Sequence, residues 1–162
     1  MDGKLRNMTA VYLLHGEDML FLYRRGSRVV GDSYVGAAGG HFEKDELNDA
    51  RACVLRELRE ETGLTEADVP DLTLRYVTLR LKNGEIRQNY YFFAHIDDPE
   101  KIAASNEGDL TWVPMTHARE LNMPHSAWFV VDHYLREGKD TTDLYGGITE
   151  ENSMAFTVLR EF

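Results

Sequence analysis

A single cysteine, Cys53, stands among 162 residues, which excludes an internal disulfide and an all-cysteine zinc site. No run of about 18 apolar residues occurs, as a membrane-spanning helix would need, and the first residues lack the apolar core of a signal peptide. Cations are outnumbered: Lys plus Arg is 18 against 28 Asp plus Glu, a net charge of −10. That deficit argues against a DNA or RNA binder, which needs a basic footprint on phosphates. It leaves room for a phosphate-bearing small substrate accompanied by cations. No repeat, low-complexity tract or Pro/Ser-rich linker divides the chain. What the chain does have is 43% hydrophobic residues, and at this length roughly 70% of the unfolded surface is removed on folding. The expectation is one soluble, cytoplasmic domain spanning 1–162, with no nucleic acid or membrane as partner.

Thr9–Leu14 and Met19–Arg24 are rich in strand formers and flank a turn at His15–Asp18, which predicts a hairpin. Gly26–Gly40 is glycine-rich and aperiodic, a loop with at most a short strand. Leu47–Thr62 has helical periodicity and stops at Gly63. Leu72–Arg80 and Glu85–Ile96 predict a second hairpin around Lys82-Asn83-Gly84, where Asn-Gly supplies the turn chemistry. Leu110–Val113 is a short strand before Pro114, Ser126–Arg136 a helix, and Met154–Arg160 a last strand. Strands on both sides of one strong helix indicate a layered α/β domain.

The chemistry concentrates in Gly39-Gly40-His41-Phe42-Glu43-Lys44-Asp45-Glu46, then nine residues (47–55), then Arg56-Glu57-Leu58-Arg59-Glu60-Glu61-Thr62-Gly63-Leu64. At about 100° per residue, Glu57, Glu60 and Glu61 fall within one arc of a helix, while Val54 and Leu58, with Leu47, can bury against a sheet. Three neighbouring carboxylates repel one another. A hard divalent cation, Mg²⁺ or Mn²⁺, is one reason to keep them, since it takes oxygen ligands and retains waters for a phosphate. A solvated acidic helix face is the plainer alternative. Gly39-Gly40 lets the backbone turn sharply, so a carbonyl there can face the same ion. Arg56, four residues before Glu60, can hold its carboxylate by a charge-assisted hydrogen bond.

This segment resembles the Nudix box, Gly-x5-Glu-x7-Arg-Glu-U-x-Glu-Glu-x-Gly-U with U bulky and aliphatic. Gly40, Glu46, Arg56, Glu57, Leu58, Glu60, Glu61, Gly63 and Leu64 match by type, with two extra residues between Glu46 and Arg56. The resemblance implies a Nudix α/β/α sandwich with a mixed sheet and Mg²⁺-dependent hydrolysis of a nucleoside diphosphate derivative, Mn²⁺ being a possible substitute. It implies Gly40, Glu57, Glu60 and Glu61 as the metal-binding set, with Arg56 orienting the glutamates. Glu57, Glu60, Arg56 and a carboxylate outside the box form the catalytic group. Asn106–Val113 looks like the family's acidic loop before a Trp-bearing strand, which makes Glu107 that outside carboxylate.

Leu121–Phe129, the helix after it and Phe156–Phe162 are similar to MutT-type oxidised-purine triphosphatases. The resemblance therefore implies a nucleoside triphosphate, oxidised purines of the 8-oxo-dGTP kind included, cut to monophosphate and pyrophosphate. Gly36, Ala37 and Ala38 stand where those enzymes place an Asn before the Gly-Gly pair, and His125 and Ser126 stand where one of them places paired acids, so the base is open. A nucleotide sugar, a dinucleoside polyphosphate or NADH is the alternative substrate, and a non-catalytic nucleotide-binding module the alternative role. Oligomeric state is open between monomer and homodimer.

Other residues fit a substrate cleft by position. Arg24, with Arg25 and Arg28, and Tyr34 flank the glycine-rich loop and can contact phosphates or stack on a base. On the Glu85–Ile96 strand, Arg87, Asn89 and Tyr91 alternate with Gln88, Tyr90 and Phe92, so one set faces the core and the other a cleft or solvent. Gln88 and Tyr90 are the substrate-binding candidates of that strand. Trp112, Trp128 and Phe129 fit the core, and Cys53 fits a small buried hydrophobe.

Overall fold

The strand-forming runs at both ends of the chain meet in one mixed eight-stranded sheet. This is the arrangement in a computed structural model that describes residues 2–26 and 31–162; Arg28 lies outside the described residues. Strand β1 (Lys4–His15) turns through Gly16, at φ 58°, into β2 (Asp18–Arg24). The two pair only from Leu13 to His15, opposite Leu20 to Asp18. Beyond that point β2 pairs with β3 (Ser33–Gly36) on the same edge and with β6 (Asp109–Pro114) on the other.

The freed edge of β1 is taken by the loop after β3, where the Thr9 amide donates to Gly40 O at 2.9 Å and the Val11 amide to Ala38 O at 2.9 Å. This backbone stitching fixes the Gly-Gly pair against the sheet. An ideal Cβ on Gly39 would lie 2.3 Å from Thr9 O, so only glycine fits there.

The other edge of β1 runs parallel to β5 (Glu85–His95), which returns antiparallel from β4 (Thr73–Lys82) through Asn83-Gly84. Both turn residues have positive φ, 54° and 73°, as a type I′ hairpin requires. Beyond β4 lie β7 (Tyr145–Thr149), parallel to it, and antiparallel β8 (Met154–Val158). Sequence patterning misses β7 because Gly146-Gly147 reads as a breaker. The Phe156 ring lies 3.0 Å from where a Gly147 Cβ would stand, so the aromatic occupies the space a side chain would need.

Period-two alternation sorts β1 between two cores. Val11 and Leu13 pack with Val54 and Leu58 of α1 (Ala50–Thr62), while Tyr12 and Leu14 pack with Val130, Val131 and Tyr134 of α2 (His125–Arg136). The sheet thus lies between two helical layers, the expected α/β/α sandwich. Val54 and Leu58 are fully buried, each contributing about 1.5–3 kcal/mol of hydrophobic stabilisation.

Helix α1 starts later than its periodicity predicts. Asp49 caps it by accepting from the Ala52 amide at 2.9 Å, which leaves Leu47 outside the helix and 57% exposed instead of buried. At the other end Gly63 takes the left-handed conformation and donates to Arg59 O, the expected glycine stop.

Candidate active site

Helix α1 and the Gly-Gly loop build the site together. Arg56 forks onto Glu46, with Nε to Oε1 at 2.6 Å and Nη2 to Oε2 at 3.0 Å, and its Nη1 donates to Glu57 at 2.7 Å. The same Nη1 reaches Glu60 at 3.3 Å, and Nη2 reaches His41 O at 3.1 Å. One guanidinium therefore ties the loop to the helix by a bidentate, charge-assisted pair. The two extra residues do not displace Glu46: the chain turns directly after it, the Asp49 amide donating to Glu46 O at 2.8 Å, and the Glu43 amide donates to Glu46 Oε2 at 2.9 Å. Glu46 is 6% exposed, and hydrogen bonding to Arg56 holds its carboxyl down at about 2. Pairing with Glu46 and Glu57 likewise raises the Arg56 guanidinium above its ordinary value.

Glu57, held by Arg56, presses on Gly40; its carboxylate occupies the position any larger residue there would need. Glu61 lies one turn further on, 9% exposed, and accepts from the Gly39 amide at 3.3 Å. Burial, then the charges of Glu107 and Glu57, push its carboxyl up to about 7. A cation beside these partly desolvated carboxylates would relieve their mutual repulsion. Glu107 is exposed on the loop before β6 and pairs with Arg24 at the end of β2. Gly108 lets that loop pass close to Tyr23 O, which an ideal Cβ would approach to 2.2 Å.

Glu60 departs from the set the helical arc suggests. Its side chain is 57% exposed and held by Arg56. Among the described residues no group of three or more His, Cys, Asp or Glu side chains stands in metal-holding geometry. The donors still fit a hard divalent cation: Glu57 and Glu61 supply carboxylate oxygens, Glu107 is close enough to perturb Glu61, and Gly40 leaves backbone unshielded beside Glu57.

A cavity of about 250 Å³ opens beside this cluster, bounded by Gly39, Arg24 and β1 and running under the start of α2. The strand β5 residues that line it are Arg87, Asn89 and Tyr91. Gln88 and Tyr90 are on the opposite face, where the Tyr90 ring packs 5.2 Å from Phe42 and Gln88 bonds the Tyr90 hydroxyl. The alternation is as expected, but the other set faces the cleft. Register decides it: Tyr91 pairs with Ala10 of β1, which faces the α2 layer. Arg24 lines the cavity, whereas Tyr34 packs on Tyr23 and Phe21, with ring centroids at 5.0 and 6.4 Å. Cys53 is fully buried, and burial pushes its thiol up to about 11, a structural role. Trp112, Trp128 and Phe129 are half-buried. No helix among the described residues is long and apolar enough to cross a membrane.

A model of the NUDIX domain matches residues 4–134. Among solved structures, the chain is similar to a MutT protein from Bacillus halodurans, at 22% identity over 94% of this chain and 97% of that one, with TM-score 0.68. It is also similar to the MutT protein of Methanosarcina mazei, at 18% identity, 86% and 99% coverage and TM-score 0.67. An Ap4A hydrolase of C. elegans gives 16% identity, 85% and 99% coverage and TM-score 0.62. No curated protein shares enough sequence with the chain to match it. The matched domain, the sandwich and the box helix lead to one conclusion: the chain belongs to the NUDIX family and is a hydrolase acting on pyrophosphate bonds.

Proposed function

We propose that this chain is a Mg²⁺-dependent pyrophosphohydrolase, with Mn²⁺ able to substitute, that cuts a nucleoside triphosphate to monophosphate and pyrophosphate. The observation that carries the reading is the Arg56 clamp, which sets Glu57 against Gly40 one turn before buried Glu61. Glu57 and Glu61 would hold the cation with Gly40, and Glu60 would join them by rotating from Arg56. When bound, the cation neutralises the phosphate oxygens around the reacting phosphorus.

The chain's own residues do the rest. Arg24 lies between Glu107 and the cavity and is placed to meet a phosphate oxygen, releasing Glu107 from their ion pair. A carboxylate of the Glu57, Glu60 and Glu107 group accepts the proton of the attacking water. The new P–O bond forms as the anhydride P–O bond between the α and β phosphorus atoms breaks, and the electron pair leaves with the product on the far side, pyrophosphate or nucleoside monophosphate according to which phosphorus is attacked. Arg56 positions these groups without touching substrate.

The base is not set by this reading, and an oxidised purine such as 8-oxo-dGTP is one member of the class. A second reading, cleavage of another nucleoside diphosphate derivative, is favoured by the likeness to an Ap4A hydrolase. A panel of canonical and oxidised nucleoside triphosphates, nucleotide sugars, NADH and a dinucleoside tetraphosphate decides between them. The first reading requires pyrophosphate release from a triphosphate that stops with EDTA; release only from the other compounds supports the second.

A further inference from the structure

Three arginines stand side by side across the sheet. Arg6 on β1 pairs in register with Arg87 on β5, and Arg87 pairs in register with Arg80 on β4. Direct cross-strand neighbours share a face, so the three side chains form one row on the α2 side of the sheet. Among the described residues only Glu85 relieves it, accepting from Arg6 at 3.0 Å and from Arg87 at 3.2 Å. Among the described residues Arg80 has no carboxylate oxygen within 4.0 Å. Glu150 and Glu151 line the depression on its other side without reaching it. Like charges placed directly opposite cost the sheet stability, and this row stands in a chain of net charge −10.

Arg80 and Arg87 line the cavity that opens at the carboxylate cluster. Gly39 marks the near end, against Thr9 and Ala10. Ala10 pairs with Tyr91, four residues along β5 from Arg87, so the arginines lie about 13 Å further along the strand at roughly 3.3 Å per residue. A volume of about 250 Å³ sits just below the roughly 300 Å³ at which pockets enclose drug-sized ligands. It suits one sugar- or base-sized moiety rather than two.

We propose that the cavity receives the moiety joined to the scissile pyrophosphate and that Arg80 and Arg87 bind an anionic group, phosphate or carboxylate, at its far end. The inference rests on the pyrophosphohydrolase reading above and narrows its substrate class to molecules charged at both ends. Guanidinium forks match both oxyanions bidentately.

Two matched pairs test it: adenosine 5′-triphosphate against its 3′-phosphorylated counterpart, and UDP-glucose against UDP-glucuronate. Each pair differs only in a distal anion, phosphate in the first and carboxylate in the second. Affinity is read by calorimetry with the full chain, so turnover is not needed. The wild-type chain is expected to bind the charged member of at least one pair 10-fold or more tighter. The preference should disappear in Arg80→Gln/Arg87→Gln and partly return in Arg80→Lys/Arg87→Lys. Equal affinity within both pairs, or a preference that survives the glutamine substitutions, overturns the assignment. Failure of the parent reading has a different sign: no triphosphate of the nucleotide panel above would release pyrophosphate with Mg²⁺, whatever the affinities of these four compounds.

Discussion

The Glu57 carboxylate fills the space that a side chain at residue 40 would occupy: an ideal Cβ on Gly40 stands 2.2 Å from Glu57 Oε1 and 2.5 Å from its Cδ. The obstacle is the tip of a flexible side chain, not backbone. Gly40→Ala should therefore leave the fold intact while swinging Glu57 out of place. Misplacement of a reacting group by about 1 Å costs on the order of 10²-fold in rate. The expected outcome is a melting temperature close to wild type with kcat/KM down by about that factor. A variant that keeps full activity shows that Glu57 need not sit against residue 40.

Removing Arg56 leaves Glu46 charged and buried without its partner. Breaking a buried ion pair from one side costs about 3–5 kcal/mol, and Arg56 is partly solvated, so Arg56→Ala should lose about 2–4 kcal/mol in urea denaturation. Arg56→Lys keeps the charge without the fork and should recover part of the stability and less of the activity.

Glu46 also sets an acid limit. Its carboxyl is held at about 2 in the folded chain, below the ordinary 4.5. The folded state binds this proton less readily than the unfolded chain, so the stabilisation is complete above about 4.5 and is lost as pH falls toward about 2. Glu46→Gln should flatten the stability profile in that window and nowhere above it.

His133 works in a higher window. It is buried on α2, with Nδ1 2.9 Å from the Tyr76 hydroxyl, and burial lowers its pKa below the ordinary 6.5. Glu137, 3.7 Å from Nε2, pulls the other way. Because burial wins, the unfolded chain takes the proton first. Stability is complete above about 6.5 and declines as pH drops through the lowered value. Thermal melts of His133→Gln between pH 7 and 5 should show a shallower slope than wild type.

The arginine row should be visible in stability as well as in binding. Arg80→Gln removes a like-charge neighbour from Arg87 and is expected to raise the melting temperature slightly at low salt, the gain shrinking as salt is added. A drop of several degrees would show that Arg80 stabilises the sheet.

How far the chain is legible depends on the range of the forces involved. Glu57, Leu58 and Glu61 are set by the 3.6-residue period, and Asn83-Gly84 by local turn chemistry, so both read directly from sequence. The start of α1 does not, because Leu47 continues the apolar pattern while the Asp49 cap ends it. Strand β7 is hidden because Gly146-Gly147 lacks strand propensity and owes its place to Phe156 and to pairing with β4. The β5 alternation is plain, yet whether Gln88 or Arg87 meets the cavity depends on which layer covers each face, a non-local fact. The Arg6, Arg87 and Arg80 row is likewise scattered along the chain until three strands come into register. Glu46 shows the converse: the spacing departs from the box, but the turn from Glu46 to Asp49 takes up extra chain before α1 begins, and the carboxylate still meets Arg56.

The most direct trial of the central claim is Mg²⁺-dependent pyrophosphate-bond cleavage by wild type and Glu61→Gln, measured beside thermal melts. Glutamine keeps an acceptor for the Gly39 amide and removes the charge, so the fold should hold while turnover falls by at least about 10²-fold. Unchanged Mg²⁺-dependent turnover in a folded Glu61→Gln chain would contradict the account.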